Sequence, residues 1–310
     1  MYDLAIIGGG PGAVAAGVYA ARKKIKTVLI TESFGGQSLV SADVQNWIGT
    51  KSVPGFELGQ MLESHVKAQE GIEIMEGELV SSVERLEDGS FKVLLKSGKE
   101  VITKYIFIGS GSRRRRLSVP GEDKFEGKGV VYCSICDAPL FEGKTVAVVG
   151  GGNAGLEAVI DLIQYATKIY LFVRGEAPKG DAVTLEKVKN SEKVTILTNA
   201  VVEEVLGENF VSGVKYLDKL TNESKELPLE GVFVEVGAVP NTEFIKTLVQ
   251  LNEKGEIIAD PKTQQAIGAP GIWAAGDATD VLYKQNNISA GDAVKAILNI
   301  YETIVKTAKS

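Results

Sequence analysis

Cysteine is scarce in this sequence of 310 residues, which contains only two, Cys133 and Cys136. A zinc site with four thiolate ligands needs two such pairs, so one chain cannot build it. Each cysteine therefore has no other cysteine in the chain to pair with than the second member of this pair. We therefore predict that the protein has no metal site.

Long apolar runs are absent as well. No stretch approaches the ~20 apolar residues that span a bilayer. The chain starts at Met1 and leads directly into a predicted strand, without the basic and apolar segments of a signal peptide. We therefore expect a cytoplasmic protein without a membrane partner. In that reducing compartment a close cysteine pair is more often catalytic than structural.

The chain has no surplus of basic residues either. It contains 34 Lys and Arg and 40 Asp and Glu, so its net charge is −6. Binding to nucleic acid needs a basic footprint, so we expect no nucleic acid as partner. The run Arg113–Arg116 is the exception. We expect it to be a solvated loop, with docking of an acidic partner as the alternative.

The two cysteines stand in the sequence Cys133-Ser-Ile-Cys136-Asp137, shortly before a glycine-rich loop. The spacing has two interpretations: a redox-active dithiol, or two small core residues, because free cysteine packs as a small hydrophobe. Nucleotide-binding units in the same chain favour the dithiol. Asp137 can relay the proton that moves when a disulfide opens or closes, although aspartate in a turn is also a common cap.

The first thirty residues predict a dinucleotide-binding βαβ unit, with strands at Leu4–Ile7 and Thr27–Ile30 around a helix at Val14–Arg22. Glycines between strand and helix let the backbone approach a pyrophosphate at the helix N-terminus. Glu32, near the end of the second strand, can bond a ribose hydroxyl. The predicted binding residues of the loop are Gly8, Gly10, Pro11, Gly12 and Ala13.

The same unit recurs later, with strands at Thr145–Val149 and Ile169–Val173 around a helix at about 156–165. Two such units usually bind two nucleotides, one for each half of an electron-transfer path. The predicted binding residues here are Gly150, Gly152, Asn153, Ala154, Gly155 and Glu157.

The charges that follow the second unit bear on the choice of nicotinamide. Arg174 and Lys179 suit the 2′-phosphate of NADP, while Glu176 can turn toward a ribose of NAD. In the alternative interpretation, these charges belong to an exposed turn and serve only solubility. The sequence leaves this choice open.

Connecting segments complete the organisation. Alternating patterns over 72–101 and 194–229 predict two antiparallel meanders. Crossings between domains are expected at 111–120 and 239–241. The chain then returns to the first domain and ends in a helix at about 290–307.

Gly276 and Asp277 close the last predicted strand, where backbone amides and a carboxylate can hold the pyrophosphate and ribitol of a cofactor. An aspartate that caps a helix is the alternative.

Across its length the chain resembles the low-molecular-weight thioredoxin reductases and, next to them, the flavoprotein component of alkyl hydroperoxide reductase. The matching residues are Gly8–Ala13, Gly35-Gly36-Gln37, Asn46, Cys133–Asp137, Gly150–Gly155 with Glu157, Gly271–Asp277 and Lys284-Gln285. The resemblance implies FAD in the first domain, a nicotinamide dinucleotide in the second, a homodimer, and thioredoxin or a thioredoxin-like protein as partner. It further implies that Cys136 lies against the flavin and that Cys133 attacks the partner's disulfide. It adds Gly36, Gln37, Asn46, Lys284 and Gln285 to the predicted FAD site.

The expected fold is therefore α/β, with two Rossmann-like, three-layer dinucleotide-binding domains, the second inserted in the first. Residues 1–112 and 243–310 are expected to form the FAD domain, and residues 113–242 the nicotinamide domain that carries the cysteine pair. A rotation about the crossings lets the nicotinamide and the disulfide reach the flavin in turn.

Two departures from the family pattern affect the predicted reaction. The family's His-Arg-Arg-x-x-x-Arg motif retains only two cations here, Arg174 and Lys179. We therefore expect NADPH as the electron donor, with NADH possible. A ferredoxin-dependent enzyme is the alternative. The intact loop at Gly150 argues against ferredoxin. The hydroperoxide reductase relatives carry additional N-terminal thioredoxin-like modules, and without them we expect peroxiredoxin reduction to need a separate carrier.

Overall fold

The structure, a computed structural model, describes residues 1–41 and 44–307. The helices are α1 Pro11–Arg22, α2 Gly55–Lys67, α3 Ser134–Asp137, α4 Asn153–Ile163, α5 Ala182–Lys189 and α6 Asn286–Thr307. Short 3₁₀ turns lie at Gly36–Val40, Ala138–Phe141 and Gly276–Ala278. The strands are β1 Tyr2–Ile7, β2 Thr27–Thr31, β3 Ile72–Glu76, β4 Val80–Arg85, β5 Phe91–Leu95, β6 Glu100–Ile108, β7 Ser112–Arg114, β8 Val130–Val131, β9 Thr145–Val149, β10 Lys168–Val173, β11 Val194–Thr198, β12 Ala200–Gly207, β13 Val211–Asp218, β14 Glu223–Pro228, β15 Gly231–Val234, β16 Ala238–Pro240 and β17 Ile272–Ala274.

The chain folds into two compact units, and the second is inserted in the first. Unit 1 comprises Met1–Leu39, Trp47–Arg113 and Val239–Ser310, and unit 2 comprises Val40–Asn46 and Arg114–Ala238. The strands of the two crossings, β7 and β16, pair with each other.

Unit 1 is built on a parallel sheet in the order β3-β2-β1-β6, with β17 also parallel to β6. The central strands β1 and β2 are mostly apolar and buried, as parallel strands covered on both faces must be. Ile7 lies opposite Ile30 on β2 and opposite Ile108 on β6, so these strands end at one edge. The antiparallel strands β4 and β5 extend the sheet from β6.

Unit 2 has three layers. Its central sheet is parallel in the order β11-β10-β9-β15-β8, and β12, β13 and β14 form an antiparallel meander. Alternate residues of β9 face opposite sides: Val148 belongs to the core cluster that contains Leu162 of α4, whereas Val149 belongs to the cluster that contains Val214 of the meander. Helices therefore cover one face of the sheet and the meander covers the other.

The predicted meanders were wrong in their first strands. Ile72 lies opposite Thr27, because β3 joins the parallel sheet beside β2. Val194 lies opposite Ile169, because β11 joins β10 in the same way. An alternating pattern shows which face of a strand is buried but not which strand becomes its neighbour. The helix α1 also begins three residues before the predicted Val14, because proline is favoured at the first position of a helix.

None of the helices within 1–41 and 44–307 is both long enough and apolar enough to cross a bilayer. Over the same residues, His, Cys, Asp and Glu side chains form no group of three that is arranged to hold a metal ion.

Gly155 marks the closest approach of α4 to the loop after β9, since a Cβ there would lie 1.8 Å from the carbonyl oxygen of Gly150. We predict that Gly155→Ala destabilises unit 2 by about 1–3 kcal/mol or more, because the helix must move away from the loop. Gly152→Ala is the matched control, since a Cβ at Gly152 meets no described heavy atom within 4 Å. Urea unfolding measures both variants, and equal stabilities would contradict the prediction.

Candidate active site

The residues predicted for the first nucleotide lie along the carboxyl edge of the parallel sheet of unit 1. Gly8 directly follows β1, and Glu32 directly follows β2 with its side chain exposed. Gly276 and Asp277 form a 3₁₀ turn just after β17. Loops at this edge are where open α/β sheets bind their ligands.

Hydrogen bonds connect the turn at Gly36–Val40, the start of β7 and the turn at Gly276–Ala278. The Gln37 amide donates from Nε2 to Asp277 Oδ2 over 3.1 Å and to Ser112 Oγ over 3.0 Å. The Ser112 hydroxyl in turn donates to Asp277 Oδ2 over 3.3 Å. Ser112 was not predicted, because a lone serine at a domain crossing has no distinguishing sequence signal. The cluster joins residues that are 240 positions apart.

Three glycines of the predicted FAD site approach Ser289 of α6 or another glycine closely. A Cβ on Gly12 would lie 3.2 Å from the Ser289 carbonyl oxygen, and a Cβ on Gly276 would lie 2.5 Å from the Ser289 hydroxyl. A Cβ on Gly36 would lie 3.3 Å from Gly10 Cα. Side chains at Gly12, Gly36 and Gly276 would therefore force neighbouring segments of unit 1 apart.

The remaining residues predicted for FAD have different surroundings. Lys284 forms an ion pair with Glu256, with 3.0 Å between Nζ and Oε1, and also donates to the Thr279 carbonyl, so its charge is neutralised within unit 1. Gln285 directly precedes α6. Asn46 belongs to the short segment that is grouped with unit 2.

The N-terminus of α1 fits a pyrophosphate. Its N-cap is Gly10, no side chain among the described residues caps it, and its first turn contains no acid. A Cβ on Gly10 would meet nothing described closer than Gly36 Cα, at 4.0 Å. The first N–H groups of a helix lack intrahelical partners and carry partial positive charge, so an open helix start of this kind suits an anion.

The N-terminus of α4 in unit 2 has the same character. Gly152 is the N-cap, with no side-chain cap from the described part of the chain, and the first turn contains no acid. The space above Gly152 contains no described atom within 4 Å of a Cβ. Ala154 and Glu157 are exposed on the first turns of this helix.

The loop with the candidate phosphate-binding cations is tied to this second glycine loop. The Lys179 backbone N–H donates to the Gly151 carbonyl over 2.7 Å, and the Asp181 N–H donates to Asn153 Oδ1 over 2.7 Å. The Asn153 side chain therefore holds the neighbouring loop in place. Arg174 lies directly after β10, and it and Lys179 are exposed.

Cys133 and Cys136 form a disulfide, with 5.3 Å between their Cα atoms. Cys133 is the N-cap of α3, and neither cysteine is fully buried. The structure therefore contradicts the alternative of two buried, unreactive core residues. Between them the side chain of Ile135 is exposed.

Asp137 is the buried acid of this segment, and only 4% of its surface is exposed. Burial raises the pKa of its carboxyl to about 7, while the positive charge of Arg114 acts in the opposite direction. Its Oδ1 has no hydrogen-bond partner among the described residues, so the side chain does not act as a local cap through this atom. Asp137 can therefore hold a proton at neutral pH one residue after Cys136.

One further acid contacts Ser134, which stands between the cysteines: the Ser134 hydroxyl donates to Asp161 Oδ2 over 2.7 Å. Glu235, which directly follows β15, interacts electrostatically with Asp137 and Asp161. Removal from water raises the pKa of Glu235 to about 7, Arg114 and the Ser134 N–H lower it, and Asp161 and Asp137 add to the rise. Sequence reasoning missed Glu235, although a polar residue directly after a buried apolar strand was a usable signal.

The arginine run is more than the solvated loop that we expected. Arg113 forms an ion pair with Glu243 at 2.6 Å, and Arg116 forms one with Asp123 at 2.8 Å. Arg114 acts on the buried acids near the disulfide. Three of the four arginines therefore interact with acids of the same chain.

Comparison with known proteins gives consistent matches. Residues 2–297 match the family described as pyridine nucleotide-disulphide oxidoreductase. The alkyl hydroperoxide reductase F protein of Pseudomonas putida is 41% identical over 99% of this chain, and a Bacillus subtilis (strain 168) protein named NADH dehydrogenase is 39% identical over 98%. The chain spans 59% of the length of each. The crystal structure of thioredoxin reductase from Streptococcus pyogenes MGAS5005 superposes with a TM-score of 0.92, at 30% identity and 99% coverage of both chains.

We predict that Gly10→Val removes bound FAD, because its side chain would occupy the open space at the start of α1. Gly152→Val is the matched control in unit 2 and should keep its FAD while losing reduction by nicotinamide. Flavin absorbance of the purified variants and stopped-flow reduction measure the two effects. Full FAD content in Gly10→Val would contradict the assignment.

The buried carboxyl of Asp137 predicts a pH-dependent stability. Its folded pKa of about 7 exceeds the ordinary value of 3.8, so the folded protein binds more protons than the unfolded chain between these values. The stability contributed by Asp137 is therefore present below about pH 4 and is lost as pH rises through about 7. Relative to wild type, Asp137→Asn should gain up to about 4 kcal/mol across this window. Urea unfolding with the disulfide intact measures the gap, and a gap independent of pH would show that the carboxyl is not perturbed.

Proposed function

Because the chain belongs to the pyridine nucleotide-disulphide oxidoreductase family, we propose that it is a disulfide reductase that passes electrons from NAD(P)H through FAD and the Cys133–Cys136 disulfide to thioredoxin or a thioredoxin-like protein. The observation that carries this proposal is the Cys-x-x-Cys disulfide followed by a buried acid, within the unit that contains the second glycine loop. A purely structural flavoprotein has no use for this combination.

The residues that hold the cofactors follow from the two open helix starts. Gly10 to Ala13, with Glu32 and the Gln37–Asp277 pair, would hold FAD in unit 1. Gly152 to Gly155 would hold the nicotinamide dinucleotide in unit 2. When bound, the two groups supply hydride and electron transfer, which amino-acid side chains cannot perform.

The dithiol completes the path by two exchange reactions. The Cys133 thiolate attacks the substrate disulfide, forms a mixed disulfide and releases one substrate thiolate. The Cys136 thiolate then attacks Cys133, which restores the internal disulfide and releases the second substrate thiolate. The substrate gains two electrons and the Cys133–Cys136 pair loses two. This order of attack rests on the resemblance to thioredoxin reductases.

Asp137 supports these exchanges as a proton donor. Its carboxyl is about half protonated near neutral pH, because burial raises its pKa to about 7. A leaving thiolate is basic, so a neighbouring acid that still holds its proton at that pH can neutralise it. The exposed side chain of Ile135, 58% accessible between the cysteines, gives a protein substrate an apolar surface to contact.

A second candidate substrate is a carrier protein of a peroxiredoxin system. The identity to the alkyl hydroperoxide reductase F protein favours it. Purified thioredoxin and a thioredoxin-like carrier from such a system, compared as substrates under the same conditions, distinguish the two. We also propose a homodimer, as the resemblance implies, and sedimentation analysis tests it.

We predict that Cys133→Ser and Cys136→Ser each abolish reduction of a protein disulfide, because both thiols take part in the exchange. Each variant should still contain FAD and still accept hydride from NAD(P)H. Reduction of ferricyanide provides the internal control, because this acceptor takes electrons without the dithiol. Substantial turnover of the protein substrate by either variant would overturn the proposed function.

The choice of donor generates a further prediction. Arg174 and Lys179 are exposed cations beside the second glycine loop, and a charge-assisted contact to phosphate is typically worth about 1.5–3 kcal/mol. We expect a modest preference for NADPH over NADH, and Arg174→Ala should lower kcat/KM for NADPH about tenfold or more with little effect on NADH. Lys189→Ala, an exposed cation at the end of α5, is the control. Equal losses with both donors would show that Arg174 does not contact the 2′-phosphate.

A further inference from the structure

Tyr132 lies between the strand β8 and Cys133, the N-cap of α3. Its ring belongs to the same core cluster as Val130 of β8 and Val232 of β15, and only 7% of its surface is exposed. The hydroxyl at the end of this ring forms hydrogen bonds on two sides. Because Cys133 is the next residue, contacts that fix the Tyr132 side chain also fix the backbone that carries the Cys133 thiol.

Glu122 is the acceptor on one side. The Tyr132 hydroxyl donates to Glu122 Oε1 over 2.9 Å, and only 1% of the surface of Glu122 is exposed. The backbone N–H groups of Leu117 and Ser118 also donate to this carboxylate, over 3.0 and 2.7 Å. These three bonds compensate for the removal of the carboxylate from water. No step of the proposed exchange reactions uses this buried acid.

The loop that carries Glu122 is fixed on the meander of unit 2. The Val205 N–H of β12 donates to the Pro120 carbonyl over 2.9 Å. A Cβ on Gly121 would lie 2.0 Å from the Val205 carbonyl oxygen, and Gly121 has a φ of +86°, a left-handed conformation that suits glycine. The backbone directly before Glu122 therefore has little room to move, so its carboxylate is a fixed point for the Tyr132 hydroxyl.

Arg116 contacts the Tyr132 hydroxyl from another side. Its Nη1 donates to the hydroxyl oxygen over 3.0 Å, and the guanidinium carbon lies 5.5 Å from the centre of the ring. The guanidinium also forms ion pairs with Asp123, at 2.8 Å, and with Glu126. Burial and the bond to Glu122 raise the pKa of the Tyr132 hydroxyl above its ordinary value, while Arg116 acts in the opposite direction. The hydroxyl therefore keeps its proton and remains a donor near neutral pH.

These contacts matter most when the disulfide is open. Reduction breaks the bond between Cys133 and Cys136, and two electrons and two protons from the reductant convert the sulfurs into thiols. The intact bond holds the two residues together by itself. Once it is broken, the fixed side chain of Tyr132 limits the movement of Cys133. The effective concentration of one thiol around the other then stays high, which favours closure.

We propose that Tyr132 is a positioning residue of the redox pair, fixed by Glu122 and Arg116, which holds Cys133 beside Cys136 while the disulfide is open. The proposal rests on the proposed function in one respect, namely that the disulfide opens and closes during turnover.

Two tyrosine variants separate the hydroxyl of Tyr132 from its ring. Tyr132→Phe removes the hydroxyl and leaves an aromatic ring for the core. Tyr216→Phe is the matched control, because Tyr216 of β13 packs against the same core cluster and contacts Phe172 edge to face. Its hydroxyl is not among the described partners of Glu122 or Arg116.

The first test is the equilibrium of the Cys133–Cys136 disulfide with reduced and oxidised glutathione. It is measured anaerobically on the full-length protein, by alkylation of the free thiols and mass spectrometry. Two glutathione molecules reduce the disulfide and leave as oxidised glutathione. Tyr132→Phe should shift this equilibrium toward the dithiol by about three- to tenfold, because Cys133 is held less tightly once the bond is open.

Tyr216→Phe should match wild type in the same titration. Loss of a purely structural contact lowers the stability of a variant to urea without moving its glutathione equilibrium. A wild-type equilibrium in Tyr132→Phe would therefore overturn the proposal, whatever its stability to urea.

The second test asks whether Glu122 acts through Tyr132. Glu122→Gln retains an acceptor oxygen and removes the charge, and a hydrogen bond to a charged acceptor is roughly twice as strong as one to a neutral group. The variant should shift the glutathione equilibrium in the same direction as Tyr132→Phe, but less. In a Tyr132→Phe background it should add no further shift. Equal shifts in both backgrounds would overturn the role of Glu122.

Neither test uses NAD(P)H or a protein substrate. Failure of the positioning role therefore appears as a wild-type glutathione equilibrium in Tyr132→Phe. Failure of the proposed function appears separately, as absent reduction of the substrate protein by the wild-type enzyme.

Discussion

The close approach of backbone around Gly150 is the constraint on which unit 2 depends. A Cβ on Gly150 would lie 2.2 Å from the Glu235 carbonyl oxygen, and one on Gly155 would lie 1.8 Å from the Gly150 carbonyl oxygen. The strand β9, the helix α4 and the end of β15 therefore meet with no side chain between them. This packing leaves the start of α4 open to an anion. The hydrogen bond from the Ser134 hydroxyl to Asp161 joins the disulfide turn to the same helix.

Both units present a helix start that suits a phosphate, and unit 2 also contains the disulfide, whose surroundings are acidic. Each presents an uncapped helix start at the carboxyl edge of a parallel sheet, where partial positive charge suits a phosphate. Around the disulfide the charges are mainly negative, and burial raises the pKa of both Asp137 and Glu235 to about 7. Acids that hold protons near neutrality suit a centre where each exchange releases a basic thiolate. The helix starts are thus electropositive, as phosphate binding requires, whereas the surroundings of the disulfide are acidic, as proton transfer to a thiolate requires.

Features set by neighbouring residues were predictable from the sequence, whereas contacts between residues far apart in the sequence were not. The strand Thr145–Val149 was predicted with its observed bounds, because a buried apolar run before a glycine loop is a short-range pattern. The parallel partners of β3 and β11 were missed, since the choice of partner depends on the path of the whole chain. The hydrogen bond of Ser112 with Asp277 joins residues 165 positions apart. The burial of Asp137 likewise depends on packing that no local pattern encodes.

Anaerobic titration of the purified protein with NADPH, NADH and reduced ferredoxin, each alone, tests the central claim most directly. Flavin absorbance and alkylation of Cys133 and Cys136 are followed in the same samples. The account predicts that a nicotinamide donor bleaches the flavin and that both cysteines become alkylated in step with the added donor. Bleaching without new thiols, or reduction by ferredoxin alone, would contradict it.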